Sequence, residues 1–303
     1  MVEGRRVSTL RIQSILYRNE PQSIQRAVRS VNAAMDAAVA AGVFESCELA
    51  YGDCSPEPLF DNMALEALER ESGPRVRLHY RHFGANLGSA RGHNTLFEGC
   101  VATYVLIMNP DVVLAANALV ELSIPFNDDK VGLVEARQLP IEHPKAYDPV
   151  TGETGWATTA CALIPVDDFV SIGGFDSQTF FLYCDDVDFS WRLRLAGKKV
   201  IYRPTAAVFH DKRLAQSGAW QPSAAEQYYS AEAALMLAYK WSREDLARQL
   251  VRAFNASALP YLQKAAQEFL RREAAQVLPQ PLDGDHRIGE FVGDGYAQHR
   301  FGL

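Results

Sequence analysis

Val101-Ala102-Thr103-Tyr104-Val105-Leu106-Ile107-Met108, closed by Asn109-Pro110-Asp111-Val112, is a near-continuous apolar run. It is far shorter than the roughly 20 residues a membrane span requires. It also lacks the alternation of a half-solvated strand, so it reads as a central strand buried on both faces. Upstream, Leu10–Leu16 alternates as a first strand, and a helix follows from about Ser23 with Ile24, Ala27, Val28 and Val31 as its inner stripe. Phe44–Tyr51 reads as strand, Leu59–Arg70 as helix, Val76–Tyr80 as strand, and a further helix runs from the Asn86 region to about Cys100. Downstream come a helix at Ala115–Leu122, strands at Val131–Glu135 and Cys161–Pro165, a helix at Asp167–Ile172, and two strands, Lys199–Arg203 and Ala206–His210. Such alternation with short connections predicts an α/β fold on a mixed, mainly parallel central sheet flanked by helices.

From Arg137 to Glu153 the periodicity is lost, and a surface loop is expected. From Ser223 the pattern turns helical, over Ala224–Lys240, Arg243–Phe254 and Pro260–Val277, with an irregular tail from Leu278. The expected organisation is an α/β domain over 1–220 and a helical C-terminal extension with its tail over 221–303.

The 303 residues are 48% hydrophobic, enough for a large core, which excludes a mostly disordered chain. A net charge of -7 and a pI near 5.6 argue against a nucleic-acid partner. Five cysteines, widely spaced and without a CxxC pair, read as reduced thiols of a cytoplasmic protein. Met1–Arg6 is polar and carries no signal-peptide pattern. No transmembrane segment is expected, so any membrane contact is peripheral.

In parallel sheets, ligands gather at the carboxyl ends of the strands. Asp53 and Asp111 stand at such ends, Asp53 alternatively as a turn or capping residue. Asn86-Leu87-Gly88-Ser89-Ala90-Arg91-Gly92-His93-Asn94 opens a helix in a form that suits a phosphate, or a plain glycine-assisted turn. His210 ends the last strand. The densest chemistry lies in Gly173-Gly174-Phe175-Asp176 and Phe180-Phe181-Leu182-Tyr183-Cys184-Asp185-Asp186-Val187-Asp188-Phe189-Ser190-Trp191-Arg192. Three carboxylates among aromatics are either a helix start favoured by its dipole or a working site. Asp188 lies four residues before Arg192, a spacing that pairs them on a helix.

Taken in order, Tyr17-Arg18-Asn19-Glu20, Asp53-Cys54-Ser55, Asn86-Leu87-Gly88 with Asn94, Asn109-Pro110-Asp111, Trp156, the Gly173–Arg192 block and His210 resemble the family 2 glycosyltransferases of the GT-A fold. Within them, the likeness is to the rhamnosyltransferase-like branch, over about residues 8–213. The resemblance implies a GT-A (nucleotide-diphospho-sugar transferase) fold and inverting transfer from a nucleoside-diphosphate sugar, dTDP-rhamnose favoured, to a glycan or lipid-linked acceptor. It implies donor binding by Tyr17, Asn19, Glu20, Asp53, Gly88, Arg91, Asn94, Asn109 and Asp111. Asp111 and His210 would hold a Mg²⁺ or Mn²⁺ cation, and Arg91 or Arg213 would meet phosphate. Asp186 would be the general base, with Asp185 beside it at the acceptor and Trp156 as the acceptor wall. Two departures stand out: Asn109 occupies the first place of the family's DxD motif, and the usual Asp-Asn-x-Ser is shortened to Asp53-Cys54-Ser55. A nucleotide- or glycan-binding module that has lost activity is the alternative. A Rossmann oxidoreductase is disfavoured, because no GxGxxG follows the first strand. Homodimerisation, and membrane approach through Arg243, Arg248, Arg252, Lys264, Arg271 and Arg272, are left open.

Overall fold

The computed structural model describes residues 8–211 and 222–297. Its elements are β1 (Ser8–Leu16), α1 (Pro21–Ala40), β2 (Phe44–Asp53), α2 (Asn62–Ser72), β3 (Val76–His82), α3 (Gly88–Phe97), β4 (Tyr104–Met108) and β5 (Val112–Leu114). Then follow α4 (Ala118–Ser123), β6 (Val131–Leu139), β7 (Cys161–Pro165), α5 (Val166–Ser171), α6 (Asp185–Leu195) and β8 (Lys199–His210). Helices α7 (Ala224–Lys240), α8 (Glu244–Ala256) and α9 (Pro260–Ala274) complete the order. The boundary expected after residue 220 lies outside the described residues, as does Arg213.

The strands form one mixed sheet in the order β3-β2-β1-β4-β7-β6-β8-β5. β3, β2, β1 and β4 run parallel, as do β6 and β8, while β7 and β5 pair antiparallel with their neighbours. The carboxyl ends of β1, β2, β4, β6 and β8 therefore share one edge of the sheet, together with the start of β7.

β4 sits mid-sheet, and its residues alternate between two cores, as the strand period requires. Leu106 and Met108 join α1 and α4 on one face, and Val105 and Ile107 join α3, α5 and α6 on the other. α1 starts with Pro in its first turn, and its fully buried Ile24, Ala27, Val28, Val31, Ala34, Met35 and Ala38 recur at helical spacing. A third core joins Val187 and Trp191 of α6 to α7, α8 and α9. The irregular tail packs on that core through Leu282, Ile288 and Phe291.

Three expectations need correction. Lys199–Arg203 and Ala206–His210 are one strand: the register shifts between Ala136/Arg203 and Arg137/Ala207, so a bulge at Pro204 takes up the lost donor without ending the ladder. β6 runs on to Leu139 because β8 continues beside it, which shortens the expected loop. β5 was not expected. Three residues carry little intrinsic signal, and pairing of Val112 with His210 is what makes them a strand.

Candidate active site

The β5–β8 pairing brings Asp111 to His210, since Asp111 directly precedes Val112, the partner of His210. Asp111 Oδ1 lies 3.2 Å from His210 Nε2. Asn109 Nδ2 lies 3.5 Å from the same nitrogen, and His210 Nδ1 lies 2.7 Å from Gln138 Oε1. Across from them, α6 begins at Asp185 after two consecutive residues at positive φ, Tyr183 (70°) and Cys184 (55°). Side chains with a Cβ avoid that region at a cost of roughly 1–2 kcal/mol each, and such strain gathers at functional sites. It turns the chain so that both Asp185 and Asp186 face a cleft of about 250 Å³.

Asn109, Asp111, Asp185, Asp186 and His210 line that one cleft. Asp185 is buried, and its Oδ2 has no hydrogen-bond partner among the described residues. Burial first, and then the neighbouring Asp186 charge, push its carboxyl up, to about 7, against a smaller pull from the Ser89 hydroxyl. Because its folded pKa is raised above 3.8, the folded state binds the extra proton between about pH 4 and 7. Asp185 is thus tolerated at low pH and costs stability as pH rises through 7. Asp185→Asn should raise Tm at pH 8 more than at pH 5, as thermal melts at the two pH values will read.

Gly88 lies behind the cleft, next to Ser89 of its lining. It sits at φ +70°, and an added Cβ would lie 2.3 Å from the Phe181 carbonyl oxygen. The Ser89 N–H donates to that carbonyl at 2.9 Å, which docks the start of α3 on the segment leading to Asp185. Gly88→Ala should lower stability by at least ~1–2 kcal/mol from the backbone conformation alone, measured by urea denaturation.

The other expected residues lie outside the cleft lining. Asp53 is buried at the end of β2, where Oδ1 accepts from Ser55 N–H and Oδ2 from Leu59 N–H, each at 2.8 Å, and from the Tyr80 hydroxyl. Burial opposes its ionisation, but these bonds together hold it below the usual carboxylate range. Asn94 clamps Phe175, taking its N–H at 2.9 Å and donating to its carbonyl at 2.7 Å. Tyr17 is exposed, and its N–H donates to Asn19 Oδ1 at 2.8 Å, forming the turn after β1. Glu20 precedes α1 and Arg91 points out from α3, both exposed. Trp156 is buried behind the cleft, edge-on to Tyr296 and with the Lys145 ammonium 4.1 Å from its ring centre.

Asp188 does not reach the cleft. It is fully buried and bonds Arg192 Nε (2.7 Å), Lys240 Nζ (2.6 Å) and Trp241 Nε1 (3.1 Å), tying α6 to α7. The cleft also draws residues the sequence did not single out for it: Ser89, His143, Thr158, Glu226 and Tyr296. Only Glu226 carried a readable signal, as part of the Ser223/Glu226 capping box of α7. Its carboxylate also accepts from the Tyr183 hydroxyl at 3.1 Å.

A cation fits the Asp111–His210 pair by donor chemistry, since one carboxylate oxygen and one imidazole nitrogen converge at the cleft. The described residues hold no cluster of three or more His, Cys, Asp or Glu side chains disposed for a metal, so substrate oxygens and water would complete the shell.

No protein-family model matches the chain. Over 65 residues it is 38% identical to an N-acetylglucosaminyl-diphospho-decaprenol L-rhamnosyltransferase of Mycobacterium tuberculosis, covering 22% of this chain and 21% of that one. Over 55 residues it is 40% identical to the rhamnosyltransferase WbbL of Escherichia coli, covering 18% and 20%. The chain thus spans about a fifth of the length of these curated relatives. Among solved structures, GalNAc-T7 with UDP, GalNAc and Mn²⁺ superposes at TM-score 0.61 and 12% identity, over 90% of this chain and 56% of its own. The mannosyltransferase PcManGT of Pyrobaculum calidifontis, with GDP-Man and Mn²⁺, does so at 0.52 and 17%, over 90% and 81%. The fold is that of the GT-A glycosyltransferases. Within that class, the stretches that match curated proteins are similar to rhamnosyltransferases.

Proposed function

We propose that the chain is an inverting, metal-dependent family 2 glycosyltransferase. It moves a sugar from a nucleoside diphosphate, dTDP-rhamnose before UDP- or GDP-sugars, to a hydroxyl of a glycan or lipid-linked acceptor. The observation that carries this reading is the meeting of the Asp185–Asp186 pair and the Asp111–His210 pair in one cleft. The rhamnosyltransferase relatives support the choice of donor.

Displacement at an anomeric carbon needs a base on the face opposite the leaving group. Asp186, half-buried at the cleft, takes the acceptor hydroxyl proton as the new bond forms. Asp185 keeps a proton into the neutral range, so the pair does not confront the acceptor with two like charges. Asp185 lines the same cleft beside Asp186, where it orients the acceptor. Asp111 and His210 would hold Mg²⁺ or Mn²⁺, whose chemistry is to neutralise the charge growing on the departing diphosphate.

Asp53, Gly88, Asn94 and the Tyr17–Glu20 turn shape the donor side chiefly by fixing backbone, while Arg91 stays free to reach phosphate. Trp156 backs the acceptor side through Tyr296. We place the work at the cytoplasmic side, which the free thiols support. No helix among the described residues is long and apolar enough to cross a membrane. Arg243, Arg248, Arg271 and Arg272 are paired with carboxylates of their own helical extension, which favours a solvated face over a lipid-facing one.

A thermal-shift series with dTDP, UDP and GDP, each with and without Mn²⁺, tests the donor site. A ligand at 100 times its Kd stabilises by about 2.7 kcal/mol. One nucleotide should raise Tm with Mn²⁺, and less so in Asp111→Asn. No shift with any nucleotide would overturn the donor site.

A further inference from the structure

His210 is the last member of a buried hydrogen-bond chain whose direction can be read atom by atom. Lys145 donates to Glu135 Oε2, and both side chains are almost wholly buried. The other oxygen of Glu135, Oε1, lies 2.8 Å from Thr158 Oγ1. With Lys145 on one side, Glu135 acts only as an acceptor, so the single hydroxyl proton of Thr158 goes to it. Thr158 Oγ1 is then left with lone pairs toward Gln138, 2.8 Å away, and the amide must present its NH₂ there. That turns Gln138 Oε1 to His210 Nδ1 at 2.7 Å, and a carbonyl oxygen requires a proton on that nitrogen. In the neutral ring Nε2 then presents its lone pair, with Asn109 Nδ2 at 3.5 Å and Asp111 Oδ1 at 3.2 Å. Nε2 and the Asp111 carboxylate repel at that separation unless a proton or a metal cation sits between them.

We propose that Glu135, Thr158 and Gln138 are positioning residues that lock His210 as the Nδ1–H tautomer, keeping Nε2 open to a divalent cation shared with Asp111. Its metal part rests on the donor-site reading given under Proposed function; the tautomer part stands on the hydrogen-bond chain alone. The outer partners of a metal-binding histidine generally fix its ring in this way. Lys145 anchors the far end, and its ammonium rests on the Trp156 ring, so the segment after β6 is tied to the same chain. This gives a physical reason for a buried lysine and a buried tryptophan that reach no ligand themselves.

The chain has one isosteric weak point. In Glu135→Gln the new amide can still accept from Lys145 through its oxygen, but its NH₂ now donates to Thr158. Thr158 must then donate to Gln138, Gln138 turns its NH₂ to His210, and the proton moves to Nε2. A positioning role therefore predicts reversal of the tautomer without loss of fold.

The experiment is ¹⁵N NMR of histidine-labelled protein at neutral pH, with His210 assigned by loss of its signal in His210→Asn, alongside Mn²⁺ titration followed by EPR with nucleoside diphosphate present. Wild type should show a protonated Nδ1 and an unprotonated Nε2. Glu135→Gln should show the reverse, with Mn²⁺ affinity lower by about 10- to 100-fold. Gln138→Leu should lose affinity similarly, and Gln138→Glu, which still accepts from Nδ1, should retain it. A proton on Nε2 in wild type, or unchanged tautomer and Mn²⁺ affinity in Glu135→Gln, overturns the proposal. The predicted tautomers in a protein that binds no Mn²⁺ with any nucleotide would uphold the positioning chain and overturn the metal reading instead.

Discussion

Asp186→Asn should lower turnover by about 10²- to 10⁴-fold, the range contributed by a positioned general base, and leave nucleotide binding unchanged. The side chain is only half-buried and lines the cleft, while its Oδ1 accepts from the Val187 N–H at 2.8 Å. Asparagine keeps the shape and that bond, through its carbonyl oxygen, so the helix start should survive. What asparagine lacks is the capacity to take a proton. The expected pattern is a fall in kcat at saturating donor, with an unchanged Tm and an unchanged Mn²⁺–nucleotide thermal shift. Turnover within a few-fold of wild type would remove Asp186 from the base role and point to Asp185.

Asp188→Ala should have the largest effect on stability, about 3–5 kcal/mol, as expected when one partner of a buried ion pair is removed. The loss leaves the Lys240 ammonium, itself buried, with Asp176 alone at 2.7 Å, and leaves Trp241 Nε1 without its acceptor. Arg192 loses its Nε partner but keeps a bond to the Ile172 carbonyl at 2.7 Å. Because these contacts join α6 to α7, the damage should spread to the packing of the C-terminal helices against the cleft. Urea denaturation will read the loss, and a change below about 1 kcal/mol would show that the cluster contributes little net stability.

These two carboxylates sit two positions apart and differ in everything but residue type. The sequence separated them correctly in part: the four-residue spacing from Asp188 to Arg192 marked a structural pair, which the geometry bears out. The central strand was equally legible, since Val105, Leu106, Ile107 and Met108 are all fully buried. Other features were not, for identifiable reasons. β5 exists only through its pairing with the end of β8, and no local pattern encodes a partner that distant. Ser89, Thr158 and Tyr296 reach the cleft from three separate segments, each ordinary in its own surroundings. Asp53 and Asn94 show the opposite limit. A polar residue at a strand end or helix start looks the same in sequence whether it faces a ligand or satisfies nearby backbone groups, and here both are engaged with backbone. The hydrogen-bond chain behind His210 was also hidden, because its members come from β6, β8 and the segment before β7.

Inverting transfer by Asp186 is tested by the anomeric configuration of the product formed from a Mn²⁺–nucleotide-sugar donor, determined by NMR for wild type and for Asp186→Asn. Wild type should give a product of configuration opposite to the donor's, formed only with the cation present, and the variant almost none. Retention of configuration, or transfer undiminished by chelation of the metal, would contradict that mechanism.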